Sequence, residues 1–258
     1  MFIIKGSFLI ASMIGVDLRS TLDLDTTIKG LSVDEKTIRG VMNEIMAIEI
    51  DDRVSFRLVS LGSIHEEGQY VDFRLTVEAA FFTICVLIKI DVTTGDRIIP
   101  SEIVYAYRLM FEDRIIPVKA YNLLTILAEK IESILARNIA NTRAKDYYDM
   151  FTLLTLKKSE INLSDLGNAL IEKATERKTG IYLERYPDYL IQIQESLDLH
   201  QLWSNYQKQY SYAAGISFIQ MVSLLGQSLM KRGYRQITPI YRDSGFAPRE
   251  CRFHQKIS

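Results

Sequence analysis

Three aspartates carry the most suggestive spacing in this sequence. Leu22-Asp23-Leu24-Asp25 alternates leucine and acid. On a strand, alternate side chains share a face, so Asp23 and Asp25 would stand together, ~7 Å apart at Cβ, with both leucines turned to the core. Adjacent carboxylates repel, and a cation between them makes the arrangement favourable. A second run, Lys89-Ile90-Asp91-Val92, ends an apolar strand-like segment, and Asp91 points opposite to Ile90 and Val92. If the two strands are neighbours, Asp91 becomes a third carboxylate beside the pair. Such a trio suits two magnesium ions, which activate an attacking oxygen and stabilise a leaving phosphate in an in-line displacement. Without that neighbour, the aspartates read as solvated residues at strand ends.

Three further groups fit the same chemistry. Ile4-Lys5-Gly6-Ser7 runs from a strand into a helix. Free backbone N–H groups and the positive helix end suit a triphosphate there, and Ser7 as a plain N-cap is the bland alternative. Lys130 falls on the apolar stripe Leu123, Leu127, Ile131, Ile134 and Leu135, with Arg137 on the same face. A lysine in a core stripe needs an acidic or phosphate partner, unless it snorkels from the edge. Thr142-Arg143-Ala144-Lys145-Asp146-Tyr147-Tyr148-Asp149 opens another helix. Asp146 there either complements the dipole or orients Lys130 or a catalytic group.

The elements that must position these groups follow from periodicity. Strands are expected at 2–4, 22–28, 54–61, 70–78, 82–92, 104–110 and 114–118. Helices are expected from Gly6-Ser7 to Gly15, and over 33–49, 121–138, 143–157, 163–178, 187–208 and 214–231. The expected fold is α+β, a mixed β-sheet flanked by helices over 1–157 followed by a helical bundle over 158–258.

Composition sets the outer limits. The chain has 258 residues, 48% apolar and 24% charged, and a net charge of -1, which describes an ordinary globular protein and excludes wholesale disorder. Two distant cysteines, Cys85 and Cys251, argue against a disulfide framework or zinc site and fit a reducing cytoplasm. The longest apolar run, Ala79 to Ile88, is too short to span a bilayer. The near-neutral charge conceals a split. Residues 1–119 hold 13 basic and 18 acidic residues, a balance of -5, and residues 120–258 hold 18 and 14, a balance of +4. The last 50 hold 7 basic and 2 acidic residues. Lys231, Arg232 and Arg235 there are candidate RNA contacts. The many tyrosines of the helical part read as packing.

The ordered series Lys5-Gly6-Ser7, Arg19-Ser20-Thr21-Leu22-Asp23-Leu24-Asp25, Ile90-Asp91-Val92, Ala128-Glu129-Lys130-Ile131 and Arg143-Ala144-Lys145-Asp146-Tyr147-Tyr148-Asp149 resembles the AbiEii/AbiGii nucleotidyltransferase toxins. That family belongs to the DNA polymerase beta-like nucleotidyltransferase superfamily. The resemblance spans residues 2–157. It implies that residues 1–157 form a nucleotidyltransferase domain. Gly6 and Ser7 would grip nucleotide phosphates, with Lys130 and Arg19 also on the nucleotide. Asp23, Asp25 and Asp91 would hold Mg2+, and Asp146 would be a base or orienter. It also implies a type IV toxin of abortive-infection phage defence, using GTP or CTP on the 3′ end of tRNA, beside a winged-helix antitoxin. Transfer to a protein or small molecule, or an inactive nucleotide-binding module, are the alternatives. Family members carry a helical stretch before the strand that begins here at residue 2. A truncated or internally started chain, with one side of the sheet uncovered, is therefore expected.

Overall fold

A computed structural model describes residues 1–230 apart from 20, 22, 30–33, 66–71 and 111. Seven strands form one mixed sheet: β1 (Phe2–Lys5), β2 (Asp23–Ile28), β3 (Val54–His65), β4 (Asp72–Phe81), β5 (Ile84–Thr94), β6 (Ile103–Arg108) and β7 (Ile115–Ala120). Their order is β3-β4-β5-β2-β1-β7-β6. β2 runs parallel to β5 and β1 parallel to β7, while the other neighbours are antiparallel. The α+β class expected from the pattern is the class observed.

The two faces of the sheet differ in chemistry. Strand alternation turns Phe73, Leu75, Val77 and Val92 to one side, where they pack with Ile28 against Ile38 and Met42 of α2 (Glu35–Met46). Asp34 caps that helix by accepting from Thr37 N at 2.6 Å. The opposite face of β2, β5 and β4 carries Asp23, Asp25, Asp91 and Arg74, all outside that core. At the β6–β7 end, Val104 and Ile115 are exposed apolar residues, so part of the sheet is uncovered.

A second, larger core joins the sheet to the helices. It runs from Ile3 and from Leu9 and Ile10 of α1 (Gly6–Ile14) through α3 (Leu123–Arg137) and α4 (Ala144–Leu156). It continues into α5 (Leu163–Glu176), α6 (Gly180–Glu184), α7 (Tyr186–Glu195), α8 (Leu197–Gln209) and α9 (Phe218–Met230). The apolar stripe expected on α3 is observed, with Leu127, Ile131, Ile134 and Leu135 buried. Asn122 starts that helix: its Oδ1 accepts from Thr125 N at 2.8 Å, and its Nδ2 donates to Ile99 O and Ser101 O.

The single helix expected over 187–208 is two helices. Ser196 adopts extended backbone between α7 and α8, and its Oγ accepts from Leu199 N at 3.4 Å. A serine that can satisfy a free N–H makes a helix start as easily as a helix interior, and apolar periodicity does not register the break.

Candidate active site

The carboxylates sit where strand pairing puts them. Asp25 lies directly abreast of Asp91 on parallel strands, and Asp23, two residues earlier, shares the face. Arg74 on β4 is in register with Asp91 from the other side. Its Nε and Nη2 donate to the two Asp91 oxygens at 2.7 Å each, a bidentate pair. The guanidinium is held above its ordinary pKa by that hydrogen bonding and by the Asp91 charge. Among the described residues, no three Asp, Glu, His or Cys side chains converge closely enough to enclose a metal ion.

The start of α1 is built around Asp25. Gly6 has φ +66°, and a β-carbon on it would lie 2.0 Å from Asp25 Oδ2. Only glycine allows this turn beside this carboxylate. Ser7 N donates to the same oxygen at 3.3 Å. Beside it, Lys5 Nζ, Thr93 Oγ1 and the Tyr121 hydroxyl all converge on Asp96 Oδ2. Burial pushes the Asp96 carboxyl up, but the Lys5 ammonium and these donors hold it well below the carboxylate range.

A buried ionic chain links α1 to α3 and α4. Arg19 Nη2 donates to Ser7 Oγ at 2.8 Å, and its Nε donates to Asp149 Oδ1 at 2.7 Å. Lys130 Nζ sits 2.7 Å from Asp146 Oδ1 and 2.9 Å from Asp149 Oδ2. Burial alone would lower Lys130, but the Asp149 and Asp146 charges hold it above its ordinary value. Burial would likewise raise Asp149, and Lys130 and Arg19 reverse it, so its carboxyl is held low. Asp146 Oδ2 remains a buried acceptor with no hydrogen-bond partner among the described residues.

The model of the AbiEii nucleotidyl transferase toxins of type IV toxin–antitoxin systems matches residues 1–218. The chain belongs to this family. It is a nucleotidyltransferase by that membership, and none of its described helices is long and apolar enough to cross a membrane. A crystal structure of JHP933 from Helicobacter pylori aligns over 92% of this chain and 86% of that one, at 15% identity and a TM-score of 0.48. A proposed nucleotidyltransferase from H. pylori aligns over 88% of this chain and 84% of that one, at 17% identity and a TM-score of 0.46. No curated protein matches.

Set against the sequence reading, this AbiEii-family chain brings Gly6, Ser7 and Asp25 into contact, and aligns Asp91 with Asp25. It also joins Lys130 to Asp146. Arg19, expected on the nucleotide, is 4% exposed and bonded to Ser7 and Asp149, so it braces the α1 turn. Sequence reading missed Arg74, Asp96 and the role of Asp149. The i, i+3 spacing of Asp146 and Asp149 places both on one helical face and could have flagged the latter. Lys231, Arg232 and Arg235 lie outside the described residues. The aspartate oxygens are hard donors of the kind a divalent cation such as Mg2+ takes, and Asp23 and Asp25 share a face, so their chemistry fits such an ion; Asp91 could join them only if its pair with Arg74 opened.

Proposed function

We propose that the chain transfers a nucleotide from a nucleoside triphosphate, GTP or CTP, to the 3′ end of tRNA and thereby stops growth. The observation that carries this reading is Asp25 abreast of Asp91, with the Gly6-Ser7 turn packed onto Asp25. The triphosphate would lie along the amino end of α1, where backbone N–H groups and the helix dipole favour negative charge. Asp23, Asp25 and Asp91 would hold Mg2+, which when bound supplies charge neutralisation at the α-phosphate. The acceptor hydroxyl attacks the α-phosphorus and gives up its proton to water, the bond to the bridging oxygen breaks, and pyrophosphate leaves. Lys130, paired with Asp146 and Asp149, would compensate phosphate charge rather than move a proton, a role its charged ammonium supports. Arg19 keeps Ser7 in position. Positioning and charge compensation supply most of the rate. The partner expected is a winged-helix antitoxin encoded alongside.

The test is transfer of each labelled triphosphate to total RNA and lysate, paired with inducible expression. Label should enter tRNA-sized RNA, and Asp23→Ala and Asp25→Ala should abolish both labelling and growth arrest while remaining folded. Label in protein or in small molecules, or arrest that survives both substitutions, would overturn the reading.

A further inference from the structure

A cleft of about 290 Å³ opens between the amino end of α4 and one side of α8. Arg143 and Lys145 form one wall, and Asn205, Tyr206, Gln209 and Tyr210 form the other. Among the described residues, no acidic side chain lines it. The cations here differ from the buried ones of this chain. Lys5, Arg19, Lys130 and Lys173 are each paired with a carboxylate, whereas the Arg143 and Lys145 side chains have no ion-pair partner among the described residues. Two uncompensated positive charges facing into a concave, acid-free site suit an anion.

The second wall supplies aromatic surface. Tyr206 stacks on Trp203 with centroids 5.5 Å apart and meets Tyr210 at 4.7 Å, while Tyr210 stacks on Tyr212 at 5.3 Å. The Tyr206 and Tyr212 hydroxyls are 3.1 Å apart. The rings are therefore held by one another before any ligand arrives, yet Tyr206 and Tyr210 keep part of their surface open. Fixed aromatic faces beside backbone-neutralising cations are what single-stranded nucleic acid binds. The volume sits at the small end of ligand sites, roughly 300 Å³, which admits one nucleotide unit and no duplex.

The cleft adjoins the ionic chain. Lys145 precedes Asp146, the Tyr148 ring is 6.1 Å from Tyr206, and the Tyr148 hydroxyl donates to Leu18 O beside Arg19. We infer that this cleft receives the terminal nucleotide of the RNA acceptor, its base against Tyr206 and Tyr210 and its phosphate on Arg143 and Lys145. This rests on RNA being the acceptor, as proposed above.

The experiment measures binding of a fluorescent RNA hairpin with a single-stranded 3′ end across salt concentrations, alongside binding of a fluorescent triphosphate. The double variant Arg143→Ala/Lys145→Ala should bind the hairpin at least ~10-fold more weakly. Its slope of log affinity against log salt should shrink by about 0.7, the value for one single-strand phosphate. Tyr210→Ala should lose about 5- to 150-fold, and Tyr210→Phe should restore binding, since the ring and not the hydroxyl carries stacking. Triphosphate binding and thermal unfolding should match wild type. Unchanged RNA affinity and salt slope would overturn the assignment. So would parallel loss of triphosphate binding, which would make the cleft the donor site. A nucleoside monophosphate that displaces the hairpin at equal affinity would assign the cleft to a free nucleotide instead. Wild-type protein that binds no RNA would defeat the acceptor reading itself.

Discussion

Replacing Gly6 by alanine should destabilise the protein through one identifiable clash. An alanine at φ +66° sits in the left-handed region, at about 1–2 kcal/mol. Its β-carbon would also lie 2.0 Å from Asp25 Oδ2, 2.6 Å from Cγ and 2.7 Å from Cβ. The carboxylate could rotate away, but the Asp25 β-carbon is fixed to β2, so part of the overlap survives any rotamer change. Overpacking of that kind costs about 1–3 kcal/mol more. The sum, about 2–5 kcal/mol, corresponds to a fall in Tm of roughly 4–20 °C for a chain of this size. The origin is separable by a double-mutant cycle with Asp25→Gly, which removes all three atoms. In that background Gly6→Ala should cost only the backbone part, giving a coupling of about 1–3 kcal/mol between the sites. Urea unfolding of the four proteins measures it. Additive effects, with coupling below ~0.5 kcal/mol, would show that Asp25 does not restrict residue 6 and would refute the close approach.

Other consequences follow from the same contacts. Arg74→Ala removes the bidentate partner of Asp91, and should raise the affinity of the carboxylate face for terbium, read by sensitised luminescence, several-fold. Because the pair is partly exposed, stability should change by less than ~1 kcal/mol, and an unaltered terbium affinity would mean Arg74 does not compete for Asp91. Asp149→Asn should destabilise by about 3–5 kcal/mol near neutral pH, because it breaks a fully buried pair. The Asp149 carboxyl is held below its unfolded value of ~3.9, so its contribution is present above that pH and is lost as pH falls through the lower folded value. The gap between wild type and variant in urea midpoint should therefore narrow between about pH 5 and 2, and a gap independent of pH would contradict the pairing.

The parts of the site that were legible are those encoded by local period. Alternation alone puts Asp23 and Asp25 on one face, and the end of an apolar strand points to Asp91. Their alignment needed the β2–β5 pairing, which no local pattern states. Arg74 was invisible for that reason: on its own strand it is one exposed polar residue, and only the register gives it a partner. Lys130 stood out because a cation on an apolar stripe demands a counter-charge, and the stripe itself survived intact. Arg19 was legible only as a basic residue near a phosphate motif, because its bonds to Ser7 and to Asp149 on α4 depend on contacts distant in sequence. The tyrosines were read as packing, and most do pack. Tyr206 and Tyr210 show that a ring can pack on one side and stay open on the other.

The link from Arg19 to Asp149 crosses 130 positions of sequence. A chain emerging from the ribosome at ~5–20 residues per second therefore displays its Gly6-Ser7 turn and first two aspartates many seconds before Asp149 exists to anchor Arg19. Until then Ser7 lacks the fixed guanidinium that holds its hydroxyl. The candidate site is complete only after α4 has been made. Interrupted synthesis short of that point yields fragments missing the anchor, and on the activity proposed above any harm is deferred until Asp149 has been translated.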